Sequence, residues 1–139
     1  HGRLFGGNLS ILSALVGTEY FPNKEDLEGS IFLWEIDNAA SYRIEKVLYQ
    51  LKYAGVLDVI SGMLIGKLPG IARTGWEGLE EPTPKELVLE TLKDFNFPII
   101  GEVDFGHETV DLPMPIGLEA KINAQKLNIE ILEAAVKEI

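Results

Sequence analysis

The sequence predicts an α/β domain with a mixed sheet flanked by helices. An apolar run at 30–37 and a second strand-like run at 59–67 enclose an amphipathic helix at about 40–54. A strand, a helix and a strand in this order suggest a parallel crossover. Further along, the segment 118–131 alternates apolar and polar residues, which is the pattern of two strands joined by a tight turn. Together, the two patterns predict a mixed sheet.

The first elements are predicted to be a glycine turn and a short helix. Gly6 and Gly7 form the turn, Asn8 is the N-cap of the helix, and Gly17 ends it. The apolar positions that share one face of this helix are Leu9, Leu12, Leu15 and Val16. Free N–H groups at such a helix start can hold an anion. A plain helix entry is the favoured interpretation of so short a motif.

The run at 30–37 is predicted to be a strand buried on both faces, because it is continuously apolar and bounded by turn residues. Trp34 is expected in the core of the sheet, and Glu35 closes the strand. The helix that follows has its apolar face at Ile44, Val47, Leu48 and Leu51 and its stop at Gly55.

The middle of the chain is predicted to be a long surface loop at 68–84, rich in proline and glycine. Two roles are equally favoured for Trp76 in this loop: covering apolar surface, or contacting a partner or ligand. A helix follows from Pro84 to about Phe95, and then a strand near 97–103. The C-terminal tail is predicted to be a short helix.

Composition limits the function. The 139 residues suit one compact domain, and a net charge of −10 without any basic run argues against nucleic-acid and anionic-membrane partners. The absence of cysteine excludes disulfides, thiolate catalysis and Cys-ligated zinc, and fits a reducing, cytoplasmic location. No run approaches the roughly 20 apolar residues that span a bilayer. No cofactor is expected.

Two residues are the candidates for chemistry. His107 is the only histidine apart from His1, and it lies where a strand ends and a loop begins. A histidine that acts as a general base needs a partner to fix its tautomer, commonly a carboxylate. Glu35 ends another apolar strand, and parallel sheets place their sites at such ends. A catalytic Glu35–His107 pair competes here with a purely structural role for each residue.

A metal site at His107 is disfavoured. Cysteine is absent, and the nearby carboxylates Asp104, Glu108 and Asp111 would form a weak site for a hard cation at best. None of the five serines lies in a Gly-x-Ser-x-Gly elbow, so the sequence does not reveal a nucleophile.

Six stretches, spread in order over nearly the whole chain, resemble the C-terminal domain of the LD-carboxypeptidase family of serine peptidases, which includes the microcin-immunity hydrolases. They are "GRLFGGNLSILSALVGTEYFP", "GSIFLWEID", "YRIEKVLYQLKYAGVLD", "GMLIGK", "DFGHE" and "PMPIG".

The resemblance implies a swivelling β/β/α-type C-terminal domain over residues 1–139, carrying the glutamate and histidine of a Ser-His-Glu triad. Glu35 in "FLWEID" resembles the triad glutamate, and His107 in "FGHE" the triad histidine. The family's N-terminal domain, which carries the serine and the oxyanion hole, has no counterpart here. The implied partners are that domain, a second copy of the protein, and a murein peptide ending in a D-amino acid. The chain alone is expected to be inactive.

Two alternatives stay open. One is a microcin-immunity-like hydrolase that opens an amide in a peptidyl-nucleotide toxin, and the loop at 68–81 is where its specificity would differ. The other is a non-catalytic binding or dimerisation module that keeps the fold.

Overall fold

The computed structural model describes residues 1–71, 82–107 and 110–136. Its elements, in chain order, are strand β1 (Gly2–Asn8), helix α1 (Leu9–Leu15), helix α2 (Lys24–Leu27), strand β2 (Ile31–Glu35), helix α3 (Ser41–Tyr53), strand β3 (Gly62–Gly66), helix α4 (Pro84–Thr91), strand β4 (Ile99–Val103), strand β5 (Glu119–Asn123) and strand β6 (Asn128–Ile131).

The strands form one six-stranded mixed sheet in the order β4-β3-β2-β1-β5-β6. The first four strands are parallel to one another, while β5 is antiparallel to both β1 and β6. The predicted α/β domain with a mixed sheet is therefore confirmed. The predicted crossover is β2, α3 and β3, and the predicted pair of strands near the C-terminus is the β5–β6 hairpin.

The prediction of a turn at Gly6-Gly7 was wrong, because these residues belong to β1, an inner strand of the sheet. The glycines serve the strand. A Cβ on Gly6 would overlap the carbonyl oxygen of Leu33 in β2, and Gly6 and Gly7 have φ values of 152° and 151°. Only glycine adopts this backbone readily, and at Gly6 the missing Cβ lets β1 approach β2 closely.

Three smaller differences concern helices. The fourth helix ends at Thr91 rather than near Phe95, and the rings of Phe95 and Phe97 then face each other with centroids 5.8 Å apart. Residues two apart do not face each other on a helix, so the chain has left the helix there. The short helix α2, capped by Asn23, was not predicted. The tail is not helical over 132–136, since the Leu132 N–H continues the sheet by donating to the Glu119 carbonyl, 2.9 Å away.

The core lies on both faces of the sheet, and successive residues of β2 point to opposite faces. Phe32 and Trp34 pack under the helices, whereas Ile31 and Leu33 join the opposite cluster with Phe105. Trp34 is fully buried, as predicted, and its Nε1 donates to the sulfur of Met63 at 3.2 Å. In the described part of the chain, no helix has the length and apolar character needed to cross a membrane.

Candidate functional site

The site lies at the edge of the sheet where the parallel strands end. Asn8 is the last residue of β1 and Glu35 the last of β2, and the two are direct partners in the β1–β2 register. The carboxyl ends of parallel strands meet at one edge, so residues distant in sequence come together there. Glu35 is only 7% exposed, although it is a carboxylate. Buried carboxylates need partners, and the surroundings of Glu35 supply them.

An irregularity in β4 directs the chain toward Glu35. Leu64 pairs with Ile100, but Gly66 pairs with Val103, so β4 has one residue more than β3 in this interval. Glu102 within the irregularity has a left-handed φ of 58°. A bulge of this kind bends its strand and changes the direction in which the following residues leave the sheet. In this structure the segment that leaves is 104–107, which ends at His107.

Two glycines make room for that segment over Glu35. A Cβ on Gly66 would lie 2.6 Å from the Phe105 carbonyl oxygen and 2.9 Å from Cβ of Glu35. A Cβ on Gly106 would lie 3.0 Å from Cγ of Glu35, and Gly106 has a φ of 115°. The Gly106 N–H in turn donates to the Asp111 carboxylate at 3.0 Å, which closes the turn. The backbone around His107 therefore lies directly against the glutamate.

The structure brings the two predicted residues together. Nδ1 of His107 lies 2.6 Å from Oε2 of Glu35, although the residues are 72 positions apart. An ionised carboxylate can only accept, so Nδ1 carries the proton of this hydrogen bond. When the ring is neutral, the lone pair is on Nε2. The predicted proximity is thus found, while the catalytic role of the pair stays a prediction.

The second ring nitrogen, Nε2, lies 3.8 Å from Oδ1 of Asp37, and the His107 side chain as a whole is 49% exposed. That separation exceeds hydrogen-bond distance. Oδ2 of Asp37 accepts a hydrogen bond from the Asn38 side chain at 2.9 Å. Sequence reasoning missed Asp37, which lies two residues after Glu35, just beyond the strand end.

The environment of His107 raises its pKa above the ordinary value of 6.5. The largest cause is the hydrogen bond to Glu35, followed by the negative charge of that carboxylate, with smaller contributions from Asp37 and Asp111. Partial desolvation acts in the opposite direction and is outweighed. The surroundings therefore stabilise the protonated ring relative to a free histidine.

Asn8 contacts Glu35 from the other side. Its Nδ2 donates to Oε1 of Glu35 at 3.0 Å, while its Oδ1 accepts from the N–H groups of Ser10 and Ile11 at 3.1 and 3.2 Å. The predicted N-cap is therefore correct, and the two N–H groups that an anion would have used already have a partner. Sequence reasoning missed the contact with Glu35 because it did not recognise β1 as the neighbour of β2.

The other acidic candidates near His107 form contacts of their own where the structure describes them. Asp104 pairs with Lys67, and Asp111 accepts from Gly106. Over 1–71, 82–107 and 110–136, no three histidine or acidic side chains are grouped so as to hold a metal. Glu108 and Trp76 lie outside the described residues, as does most of the predicted loop at 68–84. The hydroxyls of Ser13 and Ser61 donate to backbone carbonyls elsewhere in the fold.

Comparison with known proteins identifies a family. Residues 1–122 match the family model described as the LD-carboxypeptidase C-terminal domain. Among curated proteins, the chain is 30% identical over 142 residues to a probable murein peptide carboxypeptidase of Bacillus subtilis, covering 99% of this chain and 41% of that protein. It is 30% identical over 132 residues to the microcin C7 self-immunity protein MccF of Escherichia coli, covering 95% of this chain and 37% of that protein.

Solved structures agree with the sequence matches. Wild-type MccF without ligand superposes with a TM-score of 0.85 at 27% identity, covering 98% of this chain and 39% of the other. A muramoyltetrapeptide carboxypeptidase from Oxalobacter formigenes gives a TM-score of 0.75 at 25% identity, covering 86% of this chain and 40% of the other. Another MccF structure is a complex with aspartyl sulfamoyl adenosine. The chain spans about two fifths of the length of the relatives it matches.

Proposed function

This chain belongs to the LD-carboxypeptidase family, whose C-terminal domain it matches over residues 1–122, and we propose that it is the glutamate- and histidine-bearing half of a serine carboxypeptidase. The proposed reaction cleaves the amide between an L-centre and a terminal D-amino acid in murein tetrapeptides. The observation that carries the proposal is the 2.6 Å contact between Nδ1 of His107 and Oε2 of Glu35, made by a side chain that is 49% exposed.

The proposed mechanism uses the two ring nitrogens for different tasks. Nδ1–H bonds to Glu35, which orients the ring and stabilises the imidazolium. Nε2 takes the proton of a serine hydroxyl while the serine oxygen attacks the substrate carbonyl carbon. His107 then returns that proton to the amine of the departing D-amino acid as the C–N bond breaks. Water hydrolyses the acyl-enzyme by the same two proton transfers.

The nucleophile is proposed to come from outside these 139 residues. No serine of the chain is in a nucleophile elbow, and the relatives are more than twice as long as the stretch they share with it. A further domain of the polypeptide would bring the serine and the oxyanion donors to the exposed side of His107. We therefore expect the 139-residue chain alone to release no D-alanine.

The test is an assay of the longer polypeptide that joins this domain to its nucleophile domain. L-Ala-γ-D-Glu-diaminopimelate-D-Ala is the substrate, and release of D-alanine is measured. His107→Ala is expected to lower kcat by about 10⁴-fold or more, and Glu35→Ala by about 10³- to 10⁴-fold, both relative to the parent enzyme. KM should change little in either variant. The double variant should be little worse than His107→Ala, because the pair acts as one unit. Additive losses would contradict the pairing.

A second function is supported by the match to MccF, which is 30% identical over 132 residues and superposes with a TM-score of 0.85. In that case the substrate is an aminoacyl or peptidyl nucleotide, and the same pair of side chains serves its amide hydrolysis. Turnover of a peptidyl-adenylate without turnover of the tetrapeptide would select it. Turnover of neither would leave a binding or dimerisation module.

A further inference from the structure

Asn8 joins two structures that are otherwise separate, the start of helix α1 and the carboxylate of Glu35. Its Oδ1 accepts from two backbone N–H groups of α1, and its Nδ2 donates to Oε1 of Glu35. The residue is the last of β1, directly beside Glu35 in the parallel register. Its place in the fold is thus determined by the sheet and the helix together.

Only an amide of this length can make both contacts. An aspartate or serine caps a helix as well as asparagine does. An ionised aspartate has no donor, and a serine would have to serve both the helix and Glu35 with one oxygen on a side chain one atom shorter. The two N–H donors on Oδ1 also decide the orientation of the amide, because the opposite orientation would place an NH₂ group against them. Nδ2 therefore points at Glu35.

Each oxygen of the Glu35 carboxylate has its own hydrogen-bond partner, and Asn8 is one of the two. Oε1 is bound by Asn8, and Oε2 by His107 at 2.6 Å. A carboxylate gripped at both oxygens cannot rotate away from the imidazole. Glu35 is almost completely buried, so solvent does not take over either role readily.

We propose that Asn8 is a positioning residue of the site: it locks the carboxylate of Glu35 so that Oε2 stays aligned with Nδ1 of His107. This inference rests on the proposed function for its catalytic meaning, but the alignment itself is a property of the 139-residue chain. Asn8 acts through Glu35 and not on the substrate. Because the same side chain also caps α1, the position of Glu35 is linked through Asn8 to the start of that helix.

The test separates positioning from capping. Asn8→Ser and Asn8→Asp both keep the cap of α1 and both remove the amide donor to Glu35. The serine hydroxyl is one atom shorter, and the aspartate also adds a like charge beside Glu35. The readout is the Nδ1–H proton of His107, which we expect in the NMR spectrum downfield of the amide region and which is identified by its absence in His107→Ala. We expect this resonance to be lost or broadened in both variants while the circular dichroism spectrum stays close to that of the parent. The unfolding midpoint should fall, and fall further in Asn8→Asp, because one oxygen of the buried Glu35 loses its partner.

Asn23 supplies the matched control. It caps α2 through Oδ1, which accepts from the Asp26 N–H at 2.9 Å, and it belongs to a different part of the fold. Asn23→Ser and Asn23→Asp should leave the His107 resonance unchanged. An unchanged resonance in both Asn8 variants would overturn the proposal and leave Asn8 as a helix cap only.

Activity of the longer polypeptide gives an independent readout. Asn8→Ser should lower kcat about tenfold with KM unchanged, since a misaligned base affects the chemical step. A raised KM with the Nδ1–H resonance retained would overturn the proposal, because Asn8 would then bind substrate instead. If the parent polypeptide hydrolyses nothing while the Asn8 variants still lose the resonance, the proposed function fails and the positioning role stands.

Discussion

The Glu35–His107 hydrogen bond makes the pKa of His107 a direct measure of the site. Replacing Glu35 with Gln keeps the shape of the side chain but removes the carboxylate. The two main causes of the raised pKa, the hydrogen bond first and the negative charge second, are then weakened or lost. We expect the pKa of His107 to fall toward its ordinary value of 6.5 in Glu35→Gln. The measurement is an NMR titration of the imidazole protons of the 139-residue chain.

Glu90→Gln is the control for that titration. Glu90 pairs with Lys93 on the surface of α4, so its removal alters the net charge equally but leaves the site intact. The pKa of His107 should not move in this variant. An equal fall in both variants would show that the raised pKa comes from the overall negative charge and not from the hydrogen bond.

The same pair makes stability depend on pH in a definite direction. A histidine whose pKa is raised by folding binds more protons in the folded state, so its contribution is fully present below about pH 6.5 and is lost as pH rises through the raised pKa. We expect the free energy of unfolding to fall over that interval, and to fall less steeply in Glu35→Gln. Urea unfolding of both proteins between pH 5.5 and 9 measures the difference, and identical slopes would contradict it.

Individual residues were predictable to different degrees. Glu35 and His107 could be found from the sequence because each is a polar residue at the end of an apolar segment, a pattern that is visible locally. Asn8, Asp37 and the space left by Gly66 and Gly106 could not, because their roles depend on which strands are neighbours. The order of strands in the sheet is a property of the folded chain, and no periodic pattern in the sequence indicates it.

At the scale of elements, the end of strand β3 controls how closely the His107 segment approaches Glu35. Gly66→Ala would place a methyl group against the Phe105 carbonyl and the Glu35 side chain. We expect it to destabilise the fold by about 1–3 kcal/mol, the usual cost of overpacking, and to weaken the Glu35–His107 hydrogen bond. Urea unfolding and the His107 titration measure the two effects.

Gly101 is the matched glycine in the neighbouring strand β4. A Cβ there meets nothing within 4 Å. Gly101→Ala should change stability by no more than about 1 kcal/mol, because no space is lost and an alanine has less freedom in the unfolded chain. If Gly66→Ala were as mild as Gly101→Ala, the close approach would not constrain the site.

Strand β1 shows where element prediction fails. Strands β2 and β3 were predictable because most of their residues are apolar and consecutive in the sequence. In the structure all five residues of each strand are buried. β1 has the sequence GRLFGGN, in which glycines and a charged residue outnumber the apolar positions. Gly6 allows close packing against β2, and both Gly6 and Gly7 have positive φ values, but in the sequence this glycine pair indicates a turn. Helix α1 was predicted correctly because its cap and apolar face are local features.

At the scale of the whole molecule, exposed apolar side chains are concentrated toward the C-terminal end. Val110, Leu112, Ile116, Leu127, Ile131, Leu132 and Val136 are all exposed large hydrophobic residues. We expect the isolated chain to self-associate through this region at high concentration, since exposed apolar surface is removed from water by association. Sedimentation velocity over a concentration series measures it.

The double variant Leu112→Asn with Ile116→Asn should shift the sedimentation profile toward monomer. Tyr20→Asn with Tyr53→Asn is the control, since these exposed rings lie in the N-terminal half of the chain, outside that region. A parent chain that stays monomeric at the highest concentration would contradict the prediction. Equal effects of both double variants would show that association does not depend on the C-terminal region.

The position of β1 has a consequence for the order of folding. Its parallel partner β2 follows it closely in sequence, but its antiparallel partner β5 lies near the opposite end, with Arg3 aligned to Glu119. Closing a long loop costs more entropy than closing a short one, so we expect the β1–β5 pairing to form late. Asn8, Glu35 and His107 all precede β5 in the chain. The residues of the site can therefore meet on the ribosome or in refolding before the last two strands complete the sheet.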